Sequence, residues 1–417
     1  MTGKECIMPA DCCDAPALSG IDQVLPALLI QARVVGEVET VPITAALGRV
    51  LAESVTSSVS VPPADNSAMD GYAFAHDDLP GDGWLPVRQR ICAGDPVTTL
   101  AQGTAARIFT GAWIPAGADT VIAQEQCDRN GDRVHFTAPA RCGANIRRRG
   151  EDIASGDVVL KRGARLRPQE LGVIATLGLG RVAVYRRLRV AVLSTGDELA
   201  QPGEPLPEGK IYDSNRMTLI GLLQTLDCEV IDLGCIRDDL EHTGEVLRTA
   251  ARQADVIISS GGVSVGEEDY VKAAVQRQGE IILWRVAIKP GKPLAYGQVA
   301  GTAFFGVPGN PVAAFVTFCL ILRPFLLRCQ GAENVAPLVM HALADFDWPK
   351  AGKRREYARA RMAPDEQGEY RVSLYPNQSS GALSSLTWAN GLAIIAEGRT
   401  IRRGERVDVL PFSELLS

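Results

Sequence analysis

The strongest constraint on this chain is the alternation of apolar strands and helices between Arg189 and Leu327. Val190-Ala191-Val192-Leu193 is a wholly apolar strand ending at Ser194-Thr195-Gly196-Asp197-Glu198. Helical spacing follows over 217–226, 239–253, 269–278 and 312–327, with strand patterns at 229–233, 255–259, 281–287 and 303–307. Strands apolar along their whole length are covered on both faces, and repeated β–α units predict a parallel sheet. Three loops gather around it: Ser259-Ser260-Gly261-Gly262-Val263-Ser264-Val265-Gly266-Glu267-Glu268-Asp269, Lys289-Pro290-Gly291-Lys292-Pro293, and Gly306-Val307-Pro308-Gly309-Asn310-Pro311. Loops at such a sheet edge aim N–H groups, lysines and carboxylates at one place, where anions and their metal ions bind.

Elsewhere the pattern changes. Residues 21–34 and 43–51 carry helical spacing, and 61–67 is a breaker-rich loop. Short strands at 87–91, 104–108 and 120–124, broken by Gly, Pro and Asp, predict a small β domain or barrel. A helix is expected over 168–177. After Gly331, segments at 357–362, 370–374, 392–396 and 406–410 predict a C-terminal β domain.

A length of 417 residues allows about three domains. A net charge of −6 argues against bulk nucleic-acid or acidic-membrane binding, so an anionic substrate needs a local basic site. Met1 to Asp14 lacks the apolar core of a signal peptide, and the apolar run 313–322, stopping at Arg323-Pro324, is too short to span a bilayer. A cytoplasmic protein without a membrane partner is the expectation. The ten cysteines, Cys12-Cys13 among them, include no Cys-x-x-Cys pair, so neither structural zinc nor a disulfide framework is indicated.

Each motif also has a plain structural reading. The glycine-rich loop lacks the Gly-Lys-Ser/Thr of a phosphate-binding P-loop and could be a strand-to-helix turn. Glu267, Glu268 and Asp269 suit a helix N-terminus, and Asp238 and Asp239 could cap a helix. Two prolines stiffen the turn carrying Lys289 and Lys292, which favours a fixed oxyanion site over solvated lysines. Asn310 reads as an N-cap with Pro311 at the first helical position. Asp70 precedes a Gly, as in an ordinary turn, and Arg147-Arg148-Arg149 could be a solvated charge run. The four histidines have no metal-ligand spacing.

Together, segments 62–72, 147–153, 194–199, 212–215, 259–270, 289–293 and 306–311 resemble one family, the MoeA-type molybdopterin molybdenumtransferases, which include the E domain of animal gephyrin. The likeness runs from about Ile21 to Leu410. It implies a multidomain α/β plus β fold: an elongated helical domain from 15–55 and 140–182, an inserted β domain at 56–139, an α/β domain like that of molybdopterin adenylyltransferases at 183–332, and a C-terminal β-barrel at 333–417. It also implies a homodimer whose cleft is shared between subunits, bringing Asp70 to the α/β site.

The implied reaction takes adenylylated molybdopterin and molybdate and yields molybdenum cofactor and AMP, with Mg²⁺. The resemblance assigns catalytic roles to Asp70, Asp152, Asp238, Asp269 and Lys289, and metal contacts to Glu198, Asp238 and Asp269. It assigns substrate contacts to Gly261, Gly262, Ser264, Gly266, Lys292, Pro308, Asn310, Arg354, Ser379 and Ser380. The adenylyltransferase of the preceding step and apo-molybdoenzymes are expected as protein partners. Arg285 and Ala313 depart from the lysine and serine common among relatives, and Arg and Lys are not interchangeable at a fitted anion site. Two other readings are an adenylyltransferase on the same α/β fold and a catalytically weak paralogue or scaffold binding molybdopterin or molybdenum cofactor.

Overall fold

The structure, a computed structural model, describes residues 18–137, 139, 141–262 and 270–416. Helix α1 (Ile21–Gln31) leads into three short strands, β1 (Val38–Pro42), β2 (Val55–Thr56) and β3 (Asn66–Ser67). The next six strands make a sheet of their own: β4 (Gly71–Phe74), β5 (Trp84–Ile91), β6 (Ala105–Ile108), β7 (Thr120–Ala123), β8 (Cys127–Asn130) and β9 (Arg133–Phe136), in the order β7-β4-β6-β5-β9-β8. The chain then returns through β10 (Ile146–Arg147), β11 (Val158–Leu160), α2 (Pro168–Thr176) and β12 (Arg181–Tyr185). Each returning strand pairs antiparallel with one of the first three: Ser67 with Ile146, Val55 with Leu160, Val38 with Tyr185. The result is a nested ribbon with the six-stranded sheet at its tip.

The helical spacing over 43–51 becomes only a 3-10 turn, Ile43–Ala45. Gly48 turns the chain with φ of 79°, after which Val50 and Leu51 bridge to Arg165 and Val184. Their apolar side chains serve a ribbon core: Leu51 packs with Leu166, Ile174, Val182 and Val184.

The α/β unit contains β13 (Arg189–Thr195), β14 (Leu199–Ala200), β15 (Ile211–Tyr212), α3 (Ser214–Thr225), β16 (Glu229–Ile236), α4 (Leu240–Gln253), β17 (Val256–Ser260), α5 (Tyr270–Gln278), β18 (Gly279–Arg285), β19 (Ile288–Lys289), β20 (Pro293–Val299) and β21 (Thr302–Val307). The main sheet has the order β16-β13-β17-β21-β20-β18. Alternation along β13 explains why both faces are covered. Val190 and Val192 pack on the side of α3, while Ala191 and Leu193 pack on the side of α4 and α5.

The β–α repeats predict a parallel sheet, and the structure departs from this at one edge. β20 lies antiparallel between β21 and β18. Ala300 (φ 49°) and Gly301 (φ 86°) make the tight turn joining β20 to β21, and two successive positive φ values suit a hairpin. No room remains there for a crossover helix. The carboxyl end of β18 still reaches the same sheet edge as β21, since Arg285 pairs with Pro293 and Ala295 with Gly306.

A continuous helical run, α6 (Pro311–Cys329), closes this unit. It does not stop at Arg323-Pro324, because a π-helical turn, Phe318–Leu322, accommodates the missing proline N–H. At 19 residues it is long and apolar enough to span a bilayer, but 94% of its apolar window is buried inside the protein. Five further strands follow: β22 (Met340–Ala344), β23 (Arg355–Pro364), β24 (Tyr370–Leu374), β25 (Gly391–Ile395) and β26 (Arg406–Pro411). They close into a barrel, because β23 pairs with both β24 and β25. β19 adds to β23 and ties this barrel to the α/β unit.

Candidate functional site

Strand order reverses beside β13: the chain moves first to β16 on one side and then to β17 on the other. Loops leaving adjacent strands there diverge, and the crevice outside their carboxyl ends is where open α/β sheets bind ligands. Gly196, Gly261 and Asp238 mark the loops that leave β13, β17 and β16. At Gly261 (φ 87°) an added Cβ would lie 2.9 Å from the Thr195 carbonyl oxygen. At Gly262 (φ 65°) it would lie 2.4 Å from Val271 Cγ2. Only glycine lets this loop turn so close to β13 and α5. Ser264, Gly266 and Asp269 lie outside the described residues.

Glu198 is exposed and folds back over Gly196, where a Cβ would come within 2.4 Å of its Oε2. Asp238 is also exposed; its neighbour Asp239 caps α4 by accepting from the His242 N–H at 2.7 Å. Cys235 sits between these loops, with its Sγ 3.8 Å from the Gly196 carbonyl. Burial first, then the negative charges of Asp213, Asp238 and Glu198, push its thiol up to about 11. A raised pKa favours the protonated thiol at physiological pH. A cleft of about 270 Å³ opens here, lined by Asp197, Gln201, Glu204, Lys210, Cys235 and Arg237 among others.

The first turn of α3 holds several of these loops. Asp213 is 1% exposed and caps α3 through the Arg216 N–H at 3.1 Å. Arg216 then donates to Asp232 of β16 at 2.6 Å and to Gln201. Asn215 Nδ2 donates to Ser260 Oγ at 2.9 Å and to the Gly309 carbonyl at 2.7 Å. The motif 212–215 is visible in the sequence, but the role of Asn215 within it is not.

Basic groups gather where the barrel meets β19. The β19–β23 pairing sets Lys289 beside Glu356, with Nζ 3.0 Å from Oε1. Arg354 donates to the Ile288 carbonyl at 3.1 Å. Lys292 is exposed and has no side-chain partner among the described residues. At the other end of this region Pro308 is buried and Asn310 exposed. Asn310 stands at the N-cap of α6 as expected, although its side chain makes no capping bond. Val312 N–H is instead satisfied by the Ser380 carbonyl at 3.0 Å, which brings the Ser379–Ser380 loop against that helix start.

Arg359, which sequence reasoning missed, holds this serine loop. It is 1% exposed and faces no carboxylate among its hydrogen-bond partners. Its guanidinium donates to the carbonyls of Ser379 at 2.9 Å and Asn377 at 3.2 Å, and to Ser385 Oγ at 3.1 Å. A buried arginine next to a helix start concentrates positive potential there. An arginine standing in an otherwise inward-facing strand pattern was the signal available.

Asp70 and Asp152 belong to the ribbon and its tip. Asp70 Oδ1 accepts from both the N–H and the hydroxyl of Thr110 at 2.8 Å. The Thr110 N–H, then its hydroxyl, hold the Asp70 carboxyl below the usual carboxylate range, with Arg107 adding to this. Arg107 is itself stacked over Tyr72 and Phe109. Asp152 is exposed, and its N–H donates to the Val61 carbonyl at 3.0 Å. The segments 62–72 and 147–153 are thus joined, with Asp65 accepting from Arg148 at 2.7 Å and from the Arg149 N–H at 2.8 Å. Within one chain the hydrogen bonds of Asp70 stay inside the inserted sheet.

Glu198 and Asp238 thus flank the sheet edge, and Lys289, Arg354, Ser379 and Ser380 surround the junction of β19, α6 and the barrel. Among the described residues no three His, Cys, Asp or Glu side chains gather as a metal-binding cluster. All cysteines among the described residues are free thiols.

Comparison with known proteins covers nearly the whole chain. Residues 19–178 match the family model described as MoeA N-terminal region (domain I and II). Residues 191–328 match a probable molybdopterin binding domain, and 341–412 the MoeA C-terminal region (domain IV). A molybdopterin molybdenumtransferase of Haemophilus influenzae is 41% identical over 95% of this chain and 99% of its own length. One from Nostoc is 36% identical over 90% of this chain and 88% of its own. The crystal structure of a molybdopterin biosynthesis MoeA protein from Pyrococcus horikoshii superposes with a TM-score of 0.80 at 32% identity, covering 95% of this chain and 100% of that one.

Proposed function

The chain belongs to the MoeA family of molybdopterin molybdenumtransferases, and from that premise we propose that it inserts molybdate into adenylylated molybdopterin, releasing AMP and molybdenum cofactor. The observation that carries this reading is the shared edge of the main sheet, where a glycine loop, two exposed carboxylates and a basic junction occur together. The loop that opens at Gly261 and Gly262 would take the phosphate end of the substrate through its backbone N–H groups. Lys289, Lys292, Arg354 and the serine loop supply charge and donors to a tetrahedral oxyanion.

Hard oxygen donors on separate loops fit Mg²⁺, which keeps much of its water and is completed by substrate phosphates rather than by an all-protein cage. Glu198 and Asp238, with Asp269, are the residues that would hold it. Bound there, it would neutralise charge on the phosphate anhydride. The protein's own part is to orient the anhydride, bring molybdate to the dithiolene carried by the substrate, and exclude competing reactions. No protein cysteine is needed, because the dithiolene belongs to the substrate.

A homodimer completes this reading. Asp70 is held ionised at the tip of a ribbon and has no hydrogen bond to the sheet edge of its own chain. A second copy would carry it to the partner's cleft. Mixed dimers of Asp70→Asn and Glu198→Gln chains should then recover part of the activity that each variant lacks alone.

The direct test is AMP release from adenylylated molybdopterin with Mg²⁺, with and without molybdate, coupled to activation of an apo-molybdoenzyme. Molybdate-dependent release with activation supports the transferase. Tight binding without release or activation points to a scaffold.

A further inference from the structure

The first turn of α3 lies at the centre of the sheet edge. Asp213 and Arg216 fasten it to β16 and to the excursion between β13 and α3, through Asp232 and Gln201. Asn215, 9% exposed, reaches the other way. One amide nitrogen donates to Ser260, the last residue of β17 before the glycine loop, and to Gly309, in the turn that starts α6. These two contacts use both hydrogens of the amide group. Ser260 and Val307 are register partners in neighbouring parallel strands, so Asn215 spans the two loops that diverge from this pair.

We infer that Asn215 is a positioning residue, which sets the spacing between the glycine loop and the Pro308–Pro311 turn and thereby the fit of the adenylylated pterin. The inference rests on the reading of this edge as the substrate site. The chemistry requires an amide. An aspartate of the same size would lose both donors and set a carboxylate against the Gly309 carbonyl. Gly261 and Gly262 pack closely on Thr195 and Val271, and the Gly261 N–H reaches the Val307 carbonyl at 3.3 Å, so a shift of the strand end at Ser260 is passed directly to them. The junction of Lys289, Arg354 and the serine loop is held by other bonds, from Glu356, Ile288 and Arg359. Asn215 therefore acts more strongly on the adenylylated substrate than on molybdate, whose junction meets the start of α6 through the Val312–Ser380 contact.

The test compares full-length wild type with Asn215→Asp and with the milder Ser260→Ala, which removes one of the two contacts. Steady-state kinetics and amide hydrogen exchange are followed together. In Asn215→Asp, KM for adenylylated molybdopterin should rise about tenfold, the equivalent of one lost buried hydrogen bond. KM for molybdate should rise much less. Exchange should quicken at 259–262 and 306–310, and in Ser260→Ala at 259–262 alone. Equal changes in both KM values with a lowered Tm would make Asn215 a general stabilising residue and overturn the inference. Unchanged exchange at both loops would also overturn it. If wild type fails to consume the adenylylated substrate, the reading of the site fails, and the exchange measurement still decides whether Asn215 couples the loops.

Discussion

The Val312 N–H donates to the Ser380 carbonyl at 3.0 Å, so the first turn of α6 is completed by a residue of the C-terminal barrel. A helix start normally satisfies its leading N–H groups with its own cap, water or a ligand. Here Asn310 leaves that task to another domain. The basic junction proposed for molybdate is therefore an interface between two units, and its geometry depends on whatever holds the Ser379–Ser380 loop.

Arg359 is the holder, so Arg359→Met should leave the Asn377 and Ser379 carbonyls without this donor. A loss of about 1–3 kcal/mol in stability is expected for such buried groups. Urea denaturation measures it, and the molybdate dependence of turnover should weaken in parallel. Full stability with normal molybdate dependence would rule out this role.

Gly262→Ala should fail at the β17 loop. The new Cβ would lie 2.4 Å from Val271 Cγ2, in a residue with φ of 65°. Turnover should drop at least tenfold, as a displacement of about 1 Å at reacting groups can do. Wild-type kinetics in this variant would show that the loop does not shape the site.

Thr110→Val should raise the pKa of Asp70, since it removes the hydroxyl that holds the carboxylate and leaves only the N–H of that residue. The wild-type carboxyl keeps its charge above the usual carboxylate range and loses it only as pH falls to the depressed value. In the variant the loss should begin at higher pH. Carboxyl NMR titration reads the direction, and an unchanged midpoint would exclude the Thr110 hydroxyl as a contributor and leave the N–H as the main cause.

Asp255 ties the start of β13 to the sheet. Burial opposes its ionisation, but the Arg186 guanidinium and the Arg189 N–H outweigh it and hold its pKa below the usual range. A depressed folded pKa contributes stability above the ordinary carboxylate value of about 3.9, and that stability is lost as pH falls through the folded value. Asp255→Asn should flatten the acid limb of the stability–pH curve and cost about 1.5–3 kcal/mol at neutral pH. An acid limb as steep as that of wild type would assign it to other carboxylates.

Glu356→Gln should release Lys289 from its 3.0 Å ion pair while keeping the β19–β23 strands in place. With one negative charge removed from the junction, KM for molybdate should fall severalfold at low salt and less so at high salt. A rise in KM would mean that Glu356 aims the lysine rather than competing for it.

The sequence made much of this legible for a physical reason. Apolar strands buried on both faces, such as Val190-Ala191-Val192-Leu193, show themselves without partners. Loops with glycine and proline mark the sheet edge directly. β20 escaped because its seven residues begin with Pro293 and are buried without alternation, so they carry no strand period and the antiparallel edge went unread. The 43–51 stretch misled because apolar spacing serves a ribbon core as well as a helix. Asn215 and Arg359 were hidden for a different reason. Their importance lies in which distant carbonyls they reach, and only the folded chain shows that.

The nested ribbon has a consequence for the order of folding. Ser67 meets Ile146 only after the chain has gone out to the six-stranded sheet and come back, and Val38 meets Tyr185 only across a longer loop still. Closing a loop costs entropy that grows with its length, so each inner pair lowers the cost of the next one outward. Assembly should run from the tip toward the base, like a zip closed from its far end, with the inserted sheet structured before the ribbon.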